Sequence, residues 1–156
     1  MRVVLATVAK RPPEWIRAGF REYAKRLPRQ LSLTLTEVAP LARDGSQSAE
    51  SARRREAERL RAAIPSGARL IALDERGRQW STLELAAQLE RWVQDGRDLA
   101  MLVGGADGLD PAIMDSADYV WSLSRLTLPH ALVPVVLAEQ LYRAWSLLHR
   151  HPYHRA

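Results

Sequence analysis

The sequence predicts one α/β domain over residues 1–156, with a mainly parallel sheet and helices on both faces. Three observations lead there. Strand-like and helix-like patterns alternate along all 156 residues. The segments between successive strands hold whole helices, which is what a parallel crossover requires. No low-complexity stretch, internal repeat or long linker divides the chain.

Arg2 to Val8 is β-branched and apolar, and reads as a buried strand. Glu14 to Leu27 carries Ile16, Phe20, Tyr23 and Leu27 on one helical face, with Pro12 and Pro13 just before it, where proline is tolerated. Leu31 to Val38 alternates leucine with serine and threonine as a second strand, and Ala39 to Gln47 reads as a loop. Ser48 to Ile64 is a helix with a basic face formed by Arg53, Arg54, Arg55, Arg59 and Arg61. Arg69 to Leu73 is a short third strand. Ser81 with Glu84 three positions on forms a capping box, and Gly96 stops the helix it starts. Leu99 to Val103, a short helix Pro111 to Ser116, the strand Tyr119 to Trp121 and a long helix Pro134 to Leu148 complete the pattern.

Composition narrows the function classes. There is no cysteine, which removes disulfides, thiolate nucleophiles and cysteine-ligated zinc. Residues 1–9 lack the length and cleavage site of a signal peptide, and Ala131 to Ala138 is too short to span a bilayer. A cytoplasmic protein with no membrane partner is expected. The net charge of +5 favours polyanions, nucleic acid first among them, although solvated arginine-rich helices give the same balance.

In open α/β sheets ligands bind beyond the carboxyl ends of the strands. That rule selects the loops after Leu73, after Val103 and from Ser122 to Pro129. The turn Gly104-Gly105-Ala106-Asp107-Gly108 matches neither a dinucleotide fingerprint nor a phosphate loop. Its glycines allow close backbone approach to a ligand, or simply a tight turn. The segment Ser122 to His130 is apolar with little glycine. Such a loop is either covered by its neighbours or wraps a ligand with its backbone groups. Arg125 alone interrupts it with charge. The four histidines all lie from position 130 onward, without the spacing of a metal site, so no metal is expected. The strip from His149 to Arg155 suits phosphate contact and base stacking, and equally a frayed end whose loss costs little stability. The five tryptophans read as core residues. An apolar face of Leu137, Leu141, Trp145 and Leu148 predicts a symmetric dimer.

Several motifs together carry a resemblance. They are Leu102-Val103-Gly104-Gly105-Ala106-Asp107-Gly108-Leu109, the run Ser122 to His130, Ala138-Glu139-Gln140-Leu141-Tyr142-Arg143-Ala144-Trp145, and His151-Pro152-Tyr153-His154-Arg155. Pro13-Glu14-Trp15 and Gly19-Phe20 with Tyr23 add to them near the start. In this order and spacing they resemble the ribosomal RNA large subunit methyltransferase H family, within the SPOUT class. The resemblance implies a deep trefoil knot in the C-terminal half, S-adenosylmethionine as cofactor, and a homodimer with composite sites. It implies N3-methylation of a pseudouridine in the helix 69 loop of 23S rRNA, within the assembled ribosome. By position it implies cofactor contacts from Leu73, Gly104, Leu123, Ser124, Arg125, Leu126, Thr127 and Leu128. His130 and His154 are the candidate proton acceptors, and Arg143 or Arg155 the candidate anion-stabilising charge. Arg143, Tyr153, His154 and Arg155 are the candidate RNA contacts. The chain departs from the family at Ala106 and Asp107, and at Pro134, where relatives often have arginine. A non-catalytic RNA- or ribosome-binding factor that kept the fold is the alternative. A small-molecule enzyme on a doubly wound sheet is a third, which the basic helix and tail disfavour.

Overall fold

The computed structural model describes residues 1–41 and 48–154. Its sheet has five parallel strands: β1 (Arg2–Val8), β2 (Ser32–Val38), β3 (Arg69–Gln79), β4 (Leu99–Val103) and β5 (Tyr119–Ser122). Their spatial order is β2-β1-β4-β3-β5. Every neighbouring pair is parallel, so each connection must cross over, and helices fill the crossovers. The helices are α1 (Glu14–Ala24), α2 (Ala49–Ala62), α3 (Thr82–Asp95), α4 (Pro111–Ser116) and α5 (Val133–Leu148).

The helices divide between the two faces. Phe20 of α1, Leu85, Leu89 and Trp92 of α3, and Leu137 and Leu141 of α5 share one core with Leu5, Ile71 and Met101 of the sheet. Ala57 and Leu60 of α2 and Ile113 of α4 pack on the other face against Ala6, Ala72 and Leu102. Strands β1 and β4 are therefore apolar on both sides, which is why they show no alternation in sequence. A pair of 3-10 turns, Arg29–Leu31 and His130–Leu132, leads into β2 and α5.

Local chemistry sets the boundaries. The Ser81 hydroxyl accepts from the Glu84 N–H at 3.1 Å, and the Glu84 carboxylate accepts from the Ser81 N–H at 2.7 Å, so the expected capping box is formed. Gly96 ends α3 at φ 74°, a left-handed conformation that suits glycine. Ser48 caps α2 and Asp110 caps α4, the second being a cap that sequence reading overlooked. Pro134 sits in the first turn of α5, where its missing N–H costs nothing. Helix α1 stops at Ala24 rather than Leu27.

The larger correction is in β3. It does not end at Leu73 but runs on to Gln79, and both Leu73 and Arg78 pair with Trp121. Residues 74–77 are thus extruded as a bulge at the carboxyl edge of the sheet. Gly77 closes this bulge. A Cβ there would lie 2.7 Å from the backbone of Val120 and Trp121, so no other residue fits without moving the strand.

The apolar face expected to hold a dimer is largely used inside the chain. Leu137 and Leu141 are 0% and 1% exposed, covered by α1 and α3. Burying two leucines contributes about 3–6 kcal/mol to this fold, and that area is no longer available to a partner. Trp145 and Leu148 stay half-buried.

Candidate cofactor cleft and its surroundings

The bulge after Leu73, the turn after Val103 and the loop after β5 meet at the carboxyl edge of the sheet. Together they line an open cleft of about 1130 Å³. All eight residues expected to contact the cofactor line it: Leu73, Gly104, Leu123, Ser124, Arg125, Leu126, Thr127 and Leu128. Three separate loops converge on it.

The turn from Gly104 to Gly108 is tight for reasons of its own. The Gly108 N–H donates to the Gly105 carbonyl at 3.0 Å, and Gly108 has φ 77°. A Cβ on Gly104 would lie 2.4 Å from the Gly108 carbonyl carbon and 2.6 Å from the Leu109 nitrogen. Gly104 is therefore demanded by the turn's own backbone. Substitution there disturbs the cleft by deforming its wall, rather than by blocking a ligand alone.

The loop from Ser122 to Leu128 is braced by hydroxyls. Ser122 Oγ donates to the Ser124 carbonyl at 3.1 Å, and Ser124 Oγ accepts from the Leu126 N–H at 2.9 Å. Its neighbours cover its two ends but not its middle: Leu126 is 76% exposed, and Arg125 and Thr127 are exposed. Behind it Trp80 stacks on Trp121 at 5.0 Å between ring centroids and meets Trp92 at 5.9 Å, a wall that holds β5 in place. Trp15 breaks the expectation of buried tryptophans, being 62% exposed at the start of α1.

Two polar groups in or beside the cleft were not picked out in sequence as site residues. Arg53 of α2 lines it, and its Nε is buried without a partner among the described residues. Glu56, one turn later, is buried; its Oε1 accepts from the Leu41 N–H at 3.0 Å, and its Oε2 lies against Gly105. The basic face of α2 is otherwise partly committed to the fold. Arg59 donates to the Ala39 carbonyl, and Arg61 to the Ala112 carbonyl and the Ser116 hydroxyl. In the bulge, Asp74 pairs with Arg76 at 2.9 Å, and hydrogen bonding from that guanidinium holds the Asp74 carboxyl below the usual range.

His130 is at the cleft. Its Nε2 lies 2.8 Å from the Val8 carbonyl and 3.2 Å from the Thr7 hydroxyl. A carbonyl only accepts, so Nε2 carries the hydrogen, which leaves Nδ1 as the lone pair of the neutral ring.

The other candidate catalytic groups, and the candidate RNA contact Tyr153, stand elsewhere. Arg143 and Tyr153 converge on Glu139: Arg143 Nε donates to its Oε1 at 2.8 Å, and the Tyr153 hydroxyl donates to the same oxygen at 2.9 Å. The Arg143 guanidinium also lies 4.9 Å from the centroid of the Tyr153 ring. His154 is half-buried with Nδ1 unpartnered among the described residues. None of the three lines the cleft. Arg143 is ten positions beyond Val133 on α5, roughly 15 Å along the axis. Arg155 lies outside the described residues. Within one chain, then, the candidate set is split between the two ends of α5.

The tail is not a frayed end through Tyr153. That ring packs 4.7 Å from Tyr142, and burial, then hydrogen bonding to Glu139, push its hydroxyl pKa well up.

Comparison with known proteins decides the family. Residues 1–154 match the family model described as "Predicted SPOUT methyltransferase". The chain belongs to the SPOUT methyltransferase family. It is 53% identical over 156 residues to the ribosomal RNA large subunit methyltransferase H of Burkholderia multivorans, covering 100% of both chains. The same-named protein of Burkholderia vietnamiensis is 52% identical over the same span. A crystal structure of a probable methyltransferase from Bordetella pertussis matches with a TM-score of 0.55 at 18% identity, over 92% of this chain and 95% of that one. A probable methylase family protein from Haemophilus influenzae matches with a TM-score of 0.55 at 13% identity, over 99% and 70%. These two likenesses show the fold, and membership of the family implies the knot expected in its C-terminal half.

Proposed function

We propose that this SPOUT methyltransferase uses S-adenosylmethionine to methylate N3 of a pseudouridine in the helix 69 loop of 23S rRNA. It acts on assembled ribosomes, as a cytoplasmic homodimer. Methylation of large-subunit ribosomal RNA is the activity named for relatives that match the chain end to end. The observation that carries the cofactor reading is the convergence of all eight expected contacts on one cleft.

The donor set suits the cofactor. Leu73, Val103, Leu123 and Leu128 give apolar walls for an adenine, while the loop's backbone groups give it hydrogen-bond partners. Arg53, half-buried and with its Nε unpartnered among the described residues, offers a cation for a carboxylate. When bound, S-adenosylmethionine supplies a methyl group activated by its sulfonium. The protein's task is to place the ring nitrogen in line with that methyl, and positioning of this kind supplies much of the rate. His130 receives the N3 proton at Nδ1, the lone pair left by its bond to Val8. A cation near the ring stabilises the charge left on the base, and Arg155 or Arg143 serves this role.

The split of the candidate groups along α5 supports the dimer. A second copy can bring its tail, with Tyr153, His154 and Arg155, to the first copy's cleft, which the described part of the chain's own tail, through His154, does not line. The half-buried Trp145 and Leu148, rather than Leu137 and Leu141, belong to that contact.

The test uses labelled S-adenosylmethionine with ribosomes. Saturable cofactor binding together with label in 23S rRNA supports the reading. Cofactor binding without transfer to any RNA contradicts it, and binding of ribosomes without cofactor returns the alternative of a non-catalytic factor.

A further inference from the structure

A second, smaller pocket adjoins the cofactor cleft. It holds about 440 Å³ between the carboxyl ends of β1 and β2 and the first turns of α1 and α5. The two cavities share a wall of Gly105, Ala106 and His130. Its own lining is mainly apolar, from Pro13, Ile16, Leu35, Ala131 and Pro134. Lys10 and Arg11 line it too, exposed and without a salt bridge among the described residues.

We propose that this pocket takes an unstacked nucleobase of the RNA substrate, with the flanking phosphate held by Lys10 and Arg11. This deepens the rRNA methyltransferase reading and rests on it. Chemistry on a base requires that the base leave its stack and enter a pocket walled by apolar surface. This pocket has the walls, and its volume takes a pyrimidine with its ribose. It opens onto the methyl donor's cleft only across a glycine-alanine turn and a histidine ring. His130 is fixed by Val8, so its free ring edge keeps one place on the shared wall. Two unpaired cations on a polyanion's path give charge complementarity, which a pocket for an uncharged metabolite does not need. The exposed Trp15 lies in the first turn of α1 beside Ile16, where a neighbouring base can stack.

Three proteins test this: wild type, Ala131→Trp, which fills the pocket without touching the cofactor cleft, and the surface double variant Lys10→Glu with Arg11→Glu. Each is assayed by calorimetric titration with S-adenosylmethionine, by thermal melting, by sedimentation, and by single-turnover methylation of ribosomes at saturating cofactor. Ala131→Trp is expected to keep its cofactor affinity within about twofold while methylation falls about 100-fold even at saturating ribosome. The double variant is expected to keep its saturated rate but need about tenfold more ribosome, a difference that shrinks as salt rises. If Ala131→Trp melts early, the double variant decides, because its positions are exposed. Wild-type methylation by Ala131→Trp, or a double variant with unchanged ribosome dependence, overturns the proposal. A loss that tracks a shift from dimer to monomer also overturns it, since the pocket is then an interface between copies. A wild-type protein that binds cofactor but leaves ribosomes unmethylated sinks the rRNA reading itself; an active wild type with an active Ala131→Trp sinks only the pocket.

Discussion

Removing the chain from Tyr153 onward should destabilise the protein, and the structure sets how much. The Tyr153 ring packs 4.7 Å from Tyr142 and lies under the Arg143 guanidinium at 4.9 Å. Such ring and cation contacts contribute about 1–2 kcal/mol together at a half-buried site. Its hydroxyl donates to the charged Glu139 at 2.9 Å, worth about 1 kcal/mol once partial exposure is allowed for. The sum is about 2–3 kcal/mol, which for a domain of this size lowers the melting temperature by roughly 5–10 °C. Tyr153→Phe removes only the hydroxyl and should cost roughly 3 °C. There is also a pH signature. Because the folded-state pKa of Tyr153 is raised, its contribution is present below the ordinary tyrosine value of 10.0 and is lost as pH rises beyond it. Wild type should therefore lose stability above about pH 10 more steeply than Tyr153→Phe. Calorimetric melting of the three proteins at neutral and alkaline pH is the assay. A truncated protein that melts with wild type would refute the anchoring of the tail.

Gly104→Ala should cost about 1–3 kcal/mol, because the new Cβ meets Gly108 backbone, and should weaken cofactor binding as well. Equal melting and equal calorimetric affinity would show that the turn shifts freely. Arg53→Met should leave melting almost unchanged and weaken S-adenosylmethionine about tenfold, the loss of about 1.4 kcal/mol; unchanged affinity removes Arg53 from the site. Hydrogen bonds from Arg2 hold the Asp98 carboxyl below its usual range, so its contribution is present above the ordinary aspartate value and lost as pH falls below it. Asp98→Asn should then flatten the acid side of the melting profile below about pH 4; an identical acid limb in both proteins contradicts the assignment.

Much of the fold was legible because its signals are local. The apolar runs of β1 and β4, the Ser81–Glu84 box and the stop at Gly96 each act within a few residues. The continuation of β3 was hidden because Asp74 to Gln79 is polar, with Glu75, Arg76, Arg78 and Gln79 exposed, and only the edge strand β5 keeps it in the sheet. Gly77 was the available signal, a glycine between two arginines just past a strand. The cleft that gathers the expected cofactor contacts was legible because a topological rule places ligands at strand ends. The separation of the candidate catalytic residues was not, since His130 and Arg143 depend on where the two ends of α5 fall. Arg53 was read as part of a basic face, and nothing in its local pattern separates it from Arg54 or Arg55.

The central claim is the site of methylation. Ribosomes from cells lacking this gene, incubated with the purified protein and S-adenosylmethionine, can be digested and their 23S rRNA fragments mapped by mass. The account predicts one added methyl, on N3 of a pseudouridine in the helix 69 loop, and none in ribosomes incubated with the protein but without cofactor. No added methyl there, or a methyl on a different nucleotide, would contradict it.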